Sequence, residues 1–351
     1  MDKILTIVVP VYNMEKYLGI CLDSLILPTK EEREQLEVIV VNDGSKDNSL
    51  EIMKNYETKY PETFRIVDKE NGGHGSCCNV GLSEAKGKFI HFLDSDDWFD
   101  DKNYPIYINR LKNETADIVL TKKVEERENN ATIHNFENIK YDSTYNVESF
   151  SYFLDKTNYQ YLFSIHEGTF STKLLREYCS FSEHVSYDDM QLRIAPLYGA
   201  KSIAFYDMTL YHYYIGRDDQ SMNKAVLTRK FNDFGTTVDN IFNLYSNKQG
   251  VLSDPINQYA RRVLIGLIRE LLIIAYYYVQ DEEIVTTTMD DIFRKVDADP
   301  KSSFIKKDIS YKIYKFIPFK ISVLYLKVRD LFLYLKLKDI YPLLKRKLFK
   351  K

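Results

Sequence analysis

The chain has 351 residues, 44% hydrophobic and 28% charged, which suits one large globular domain with additions and excludes a disordered chain. Its formal net charge of −3 conceals a split, because residues 301–351 carry +12 and the remainder −15: an acidic body with a basic end. The cysteines Cys21, Cys77, Cys78 and Cys179 lack Cys-x-x-Cys spacing, no signal-like segment opens the chain, and the most apolar stretch, Val263 to Val279, is broken by Arg269 and Glu270; the expectation is a reduced, cytoplasmic setting without a membrane span.

In chain order, Leu5 to Val11 is a β-branched run that predicts a strand, ending in the polar turn Tyr12-Asn13. Met14 to Leu25 reads as a helix with Tyr17, Leu18, Cys21, Leu22 and Leu25 on one face. Leu36 to Val41 predicts a second buried strand, closed by Asn42-Asp43-Gly44-Ser45. Ser49 to Tyr60 follows as a helix and Phe64 to Asp68 as a third strand. The loop Asn71-Gly72-Gly73-His74-Gly75 precedes a helix running to about Lys86. Lys88 to Leu93 is then a fourth strand that stops on Asp94-Ser95-Asp96-Asp97. Apolar strands alternating with helices predict an α/β fold with a mostly parallel sheet covered on both faces. Ligands of such sheets sit beyond the carboxyl ends of the strands, where the clusters at Tyr12, Asp43 and Asp94–Asp97 all fall.

Beyond residue 100 the pattern weakens. Ile118 to Thr121 predicts a strand, Lys122 to Asn146 a polar loop, and His166 to Phe170 another strand. Asp188-Asp189 opens a predicted helix over Met190 to Tyr198, and strand character resumes from Tyr206 to Tyr214. Residues 226–300 read as helical and 301–351 as a basic aromatic tail.

Carboxylates at a strand end, as in Asp94-Ser95-Asp96-Asp97, can hold a hard divalent cation through oxygen ligands, or simply cap the next helix. Asn71 to Ser76 leads into a helix N-terminus whose free backbone N–H groups favour an anion, though a plain flexible loop has the same sequence. Asp43 reads locally as an Asx turn or, beside the acidic cluster, as a ligand contact.

Taken together, Val9-Pro10-Val11-Tyr12-Asn13, Val40-Val41-Asn42-Asp43-Gly44-Ser45, the glycine loop and Phe92-Leu93-Asp94-Ser95-Asp96-Asp97 closely resemble the family 2 glycosyltransferases of the GT-A fold. The resemblance is dense over the first hundred residues and resumes at Tyr187-Asp188-Asp189. It implies a GT-A domain over 1–225, with a nucleotide-sugar half at 1–100 and an acceptor half at 101–225, then a helical extension at 226–300 and the tail. It implies a donor site of Pro10, Tyr12, Asp43, Asn71, Gly72, Asp94, Ser95 and Arg217. Asp96 and Asp94 would hold Mn²⁺ or Mg²⁺, with His212 either a third ligand or, among its strand aromatics, a satisfied core histidine. Asp189 would be the general base, needed because a sugar hydroxyl is a poor nucleophile near neutral pH. The sequence departs from the family where its small-residue–Arg–Asn triplet reads Cys77-Cys78-Asn79, so an expected arginine is absent.

The implied activity is inverting transfer of a sugar from a nucleotide diphosphate sugar, UDP-linked by preference, to a hydroxyl of a lipid-linked or cell-surface glycan. A non-catalytic GT-A scaffold subunit and a nucleotidyltransferase stand as rivals. In the tail, Ile321, Leu324, Val328, Leu331, Phe332 and Leu335 form a helical stripe flanked by lysines, which suits an anionic membrane surface at the inner face of the cell membrane. Its alternative is a final helix packed on the body or on a second subunit of a homo-oligomer. No nucleic-acid reading module accompanies it, and no nucleic-acid partner is expected.

Overall fold

The structure is a computed structural model and describes residues 3–128, 130–136, 139–149, 163–248 and 252–323. The chain divides into two compact units, residues 1–220 with 240–263, and residues 221–239 with 264–351. The first is built on one large sheet. Its strands in chain order are β1 (Leu5–Val11), β2 (Leu36–Asn42), β3 (Phe64–Asp68), β4 (Phe89–Phe92), β5 (Trp98–Phe99), β6 (Ile118–Arg127), β7 (Asn130–His134), β8 (Ser143–Asn146), β9 (Gly168–Ser171) and β10 (Ser202–Tyr214). Their spatial order is β3-β2-β1-β4-β9-β6-β10-β5, with β7 on β6 and β8 on β10.

β1 lies between β2 and β4, parallel to both, and is buried along its whole length, which is why it reads as an unbroken apolar run. The intervening helices are α1 (Leu18–Asp23), the single turn α2 (Lys30–Arg33), α3 (Ser49–Lys59), α4 (His74–Glu84), α5 (Asn103–Leu111) and α6 (Thr172–Tyr178). Strand alternation sends Leu5, Ile7, Val9 and Val11 into a core with Leu18, Cys21 and Leu22 of α1 and Tyr104, Tyr107 and Ile108 of α5. Val8 points the other way, against α4, so closely that a Cβ at Gly81 would meet its side chain at 2.3 Å. β9 runs antiparallel between β4 and β6, and the parallel pairing of β6 with β10 completes a mixed, mostly parallel sheet.

Three expectations are corrected. Residues 122–146 are not a loop: β6 continues to Arg127 and is followed by β7 and β8. Lys122, Lys123, Glu125 and Glu126 stay part-exposed while their backbone pairs with β10 on one side, and from Lys123 on with β7 on the other. The helix expected at Met190 to Tyr198 is two short 3₁₀ segments, Asp188–Arg193 and Ala195–Tyr198. Pro196 has no N–H to continue an α-helix through the second. The first helix begins at Leu18 rather than Met14; the N–H groups of Met14 and Glu15 donate to Ser49 Oγ (2.8 Å) and Asp47 Oδ2 (3.0 Å), which ties the preceding turn to the segment after β2. All four cysteines are free and buried.

Helices α7 (Lys224–Arg229), α8 (Phe231–Lys248), α9 (Asp254–Ile274), α10 (Glu282–Ala298), α11 (Ser303–Lys307) and α12 (Ile309–Phe316) complete the described chain, and the boundary between the units falls inside α8 and α9. Within the second unit, Lys295 pairs with Asp239 at 2.6 Å, Phe293 stacks on Tyr314 at 4.8 Å, and Asp308 caps α12 while pairing with Arg269. No helix among the described residues is long and apolar enough to cross a membrane. The amphipathic stripe expected over Lys320 to Lys336 lies, beyond residue 323, outside the described residues.

Candidate active site

The loops that follow β1 and β2 are stitched together by backbone-directed bonds. Asn13, in the left-handed region at φ 55°, accepts from the Lys46 N–H through Oδ1 (2.7 Å) and donates its own N–H to Ser45 Oγ (3.0 Å). Tyr12 is left exposed beside it, beyond Pro10 at the buried end of β1. Asn42 rather than Asp43 closes the local turn through its side chain, its Oδ1 accepting from Ser45 N–H, three residues on, at 3.1 Å. The buried Asp43 carboxylate accepts from Lys69 Nζ (2.6 Å) and from the N–H groups of Gly72 (2.8 Å) and Gly73 (2.9 Å). Asn71 Nδ2 donates to the Asp43 carbonyl at 2.9 Å. Asp43 therefore shapes the loop that delivers α4, and Gly73, at φ +85°, holds a conformation that side-chain-bearing residues avoid.

The acidic loop leaves β4 and is gripped from β10. Asp97 is buried, accepting from Tyr211 Oη at 2.6 Å and from Tyr214 N–H at 2.8 Å, and the Tyr211 hydroxyl in turn accepts from Asp94 N–H at 3.2 Å. Ser95 is buried between its neighbours. The Asp94 carboxylate faces His74 Nε2 at 3.6 Å and His166 Nε2 at 3.5 Å. Burial opposes its charge, but the two imidazoles outweigh burial and hold its carboxyl well below the usual range. Asp96 pairs with Arg217 at 3.2 Å, and that guanidinium lies 5.1 Å from the Tyr17 ring centroid. Burial and the adjacent Asp94 charge push the Asp96 carboxyl up to about 6, against the pull of Arg217.

Asp188 and Asp189 reach the same place from the first 3₁₀ segment. Asp188 is buried, and both its oxygens lie 3.2 Å from His74 Nδ1. Asp189 is half-buried and makes no side-chain hydrogen bond or ion pair among the described residues; burial and the Asp188 charge raise its carboxyl. A raised, uncommitted carboxylate is the state a general base requires.

The donor set fits a hard divalent ion: Asp94, Asp97 and His166 each place a ligand atom within 4.8 Å of the others. His166 is the residue that sequence reading missed, because a lone histidine ahead of a short strand carries no signal until β9 is seen pairing with β4. The ligand expectation for His212 is corrected. Its Nδ1 meets Glu126 (2.8 Å), its Nε2 meets Asp100 (3.3 Å), and its ring stacks on Trp98 at 5.5 Å, so both nitrogens are committed elsewhere. Cys78, in place of the expected arginine, lies one turn along α4 from His74 with Sγ 3.7 Å from both ring nitrogens.

Residues 6–178 match the family described as glycosyl transferase family 2. A poly(ribitol-phosphate) beta-glucosyltransferase of Bacillus spizizenii is 38% identical over 120 residues, 34% of this chain and 19% of that protein. The chain spans less than two thirds of the length of the curated relatives it matches. S. aureus TarS 1–349 superposes with a TM-score of 0.56 at 20% identity, over 86% of this chain and 92% of that one, and its complex with UDP-GlcNAc superposes at 0.52. A mannosyltransferase from Pyrobaculum calidifontis, in complex with GDP-Man and Mn²⁺, superposes at 0.51 and 16% identity over 93% and 86% of the two chains. The chain thus carries a glycosyl transferase family 2 domain on the GT-A fold.

Proposed function

We propose that the protein transfers a sugar, with inversion, from a nucleotide diphosphate sugar to a hydroxyl of a cell-surface or lipid-linked glycan. The observation that carries this reading is the convergence of Asp43, the Gly72-Gly73 loop, Asp94, Asp96, Arg217 and Asp189 at the carboxyl edge of the parallel strands. The exposed Tyr12 and the Asp43 loop would hold the nucleoside, and the backbone at Asn71 and Gly72 would approach the donor at the α4 N-terminus. UDP is favoured as the carrier because the TarS fold-neighbour is described with UDP-GlcNAc, although the mannosyltransferase neighbour is described with GDP-Man. The relative named as a poly(ribitol-phosphate) beta-glucosyltransferase supports a wall-polymer-like acceptor.

Asp189 takes the proton from the acceptor hydroxyl as its oxygen attacks the anomeric carbon, and the bond to the nucleoside diphosphate breaks on the opposite face. Asp94, grouped with His166 and Asp97, and Asp96, here paired with Arg217, would hold a divalent cation, which supplies charge neutralisation for the departing diphosphate. Arg217 adds a second positive group beside that position, tethered by Asp96 and Tyr17. The test is nucleoside diphosphate release from a panel of sugar nucleotides with Mn²⁺ or Mg²⁺ and glycan acceptors. Metal-dependent release from one donor that Asp96→Ala abolishes is the expected result; no release from the panel, with pyrophosphate released instead when a nucleoside triphosphate and a sugar phosphate are supplied, would make the protein a nucleotidyltransferase.

We also propose that residues 301–351 dock the protein at the inner face of the cell membrane. Exposed Phe316 and Ile321 lie among Lys312, Lys315 and Lys320 at the start of that stretch. Co-sedimentation with anionic but not neutral vesicles, lost at high salt, is expected; equal binding to both would remove the electrostatic reading.

A further inference from the structure

Apart from the acidic loop, the molecule gathers a second set of ligating atoms whose chemistry is different. His74 and Cys78 stand at i and i+4 on α4, so their side chains share one face of that helix. Cys78 Sγ is 3.7 Å from each ring nitrogen of His74, and His74 Nδ1 is 3.2 Å from both oxygens of Asp188. One ligand atom from each of the three lies within 4.8 Å of the other two. A tetrahedral ion with zinc-like bond lengths sets neighbouring N and S ligands about 3.5 Å apart and N and O ligands about 3.3 Å apart. The observed separations, 3.7 and 3.2 Å, come close to both edges, and a turn of the part-exposed His74 ring would aim Nδ1 between the two partners.

Two further features fit. A ligating imidazole normally directs its other ring nitrogen at a carboxylate, and His74 Nε2 faces Asp94 at 3.6 Å. The backbone is also shaped for the approach: a Cβ at Gly75 would lie 2.2 Å from the Ser182 carbonyl oxygen and 2.9 Å from Asp188 Oδ2, so only glycine lets Asp188 come this close to α4. Asp188 and Cys78 are buried, while the part-exposed His74 leaves a route in.

We propose that His74, Cys78 and Asp188 bind a thiophilic divalent cation of the Zn²⁺ class, at a site distinct from the oxygen-rich one at Asp94. Sulfur and imidazole with a single carboxylate select zinc or cobalt over magnesium or manganese. On binding, the Cys78 thiol releases its proton to buffer and its sulfur takes the ion. The ion then ties the segment carrying Asp188 and Asp189 to α4, and fixes the edge of His74 presented to Asp94.

The test is titration of the reduced full-length chain with Co²⁺, followed by absorption. Expected is one ion per chain that carries a sulfur-to-cobalt charge-transfer band and intense tetrahedral visible bands, displaced by Zn²⁺; any Co²⁺ held by the acidic loop adds no sulfur band. Cys78→Ser removes the charge-transfer band and weakens Zn²⁺ binding at least about 10-fold, while Asp96→Asn keeps the band. Circular dichroism checks that each variant is folded. Should Cys78→Ser fail to fold, His74→Gln, changed at a part-exposed position, must weaken Co²⁺ binding by a similar factor. A wild-type spectrum without the sulfur band, or a band unchanged in Cys78→Ser, overturns the site. So does Co²⁺ binding that survives Cys78→Ser but is lost in Asp96→Asn, which would put the ion on the acidic loop alone.

Discussion

The two walls of the candidate site are made in different ways. The wall from residues 5–97 consists of loops at the ends of β1, β2 and β4, and the first two are held by bonds to backbone N–H groups within a loop or from one strand-end loop to the next: Asn13 with Lys46, Asn42 with Ser45, Asp43 with Gly72 and Gly73. The wall from residues 164–220 contributes side chains that reach the carboxylates of the first wall from afar: Tyr211 to Asp97, His166 to Asp94, Arg217 to Asp96. The first wall therefore sets shape and the second sets charge. Substitutions in the first should act on stability and donor fit, and those in the second on ionisation and rate.

The largest effect is expected at Asp189. Asp189→Asn should lower the transfer rate by about 10²–10⁴-fold while calorimetry shows unchanged donor affinity. An unchanged rate would break the assignment of chemistry to the second wall. Because burial and Asp188 raise this carboxyl above its ordinary 3.8, the wild-type rate should climb with pH until the carboxylate is ionised, and the substitution should erase that limb.

Asp43→Ala comes next. It leaves the Gly72 and Gly73 N–H groups and the Lys69 ammonium without their acceptor, a loss of about 2–3 kcal/mol in urea unfolding, with weaker donor binding. Tyr211→Phe should cost about 1–2 kcal/mol, since Asp97 keeps its bond from Tyr214 N–H. If that order were reversed, long-range side-chain bonds, not loop amides, would hold the site together.

The smallest effect carries the opposite sign. With its carboxyl pushed from 3.8 up to about 6, Asp96 binds its proton more tightly in the folded chain. The associated stability is complete below 3.8 and lost as pH rises through about 6. Asp96→Asn, neutral throughout, should therefore gain about 1 kcal/mol at pH 8, roughly 2–4 °C in Tm, once the missing ion pair with Arg217 is set against it. The gain should vanish near pH 4.

The first wall was legible in the sequence because its physics is local. Buried parallel strands leave continuous apolar runs, and their polar ends mark the ligand edge, so Asp43 and Asp94–Asp97 were found from residues alone. The second wall was not, because its members act through register. Tyr211 stands opposite Phe99 only once β10 pairs with β5, and polar residues disguise the second half of β6, with β7 and β8, as a loop. The division of labour among the aspartates, Asp96 to Arg217 and Asp97 to Tyr211, is written in pairings that span more than a hundred residues of chain. The sequence leaves His212 between a metal ligand and a satisfied histidine for the same reason: Glu126 and Asp100, on either side of it, meet it only in the folded sheet.

The grip of β10 on the acidic loop also has a consequence for birth at the ribosome. Asp97 and the backbone of Tyr214 are 117 residues apart, yet Asp97 is buried only when they meet. At a synthesis rate of about 5–20 residues per second, roughly 6–23 seconds separate the emergence of the two. During that interval the parallel strands β1–β4 can already pair, while Asp94, Asp96 and Asp97 face water together. A nascent chain halted before residue 211 would carry a folded nucleus whose acidic rim remains open and hydrated.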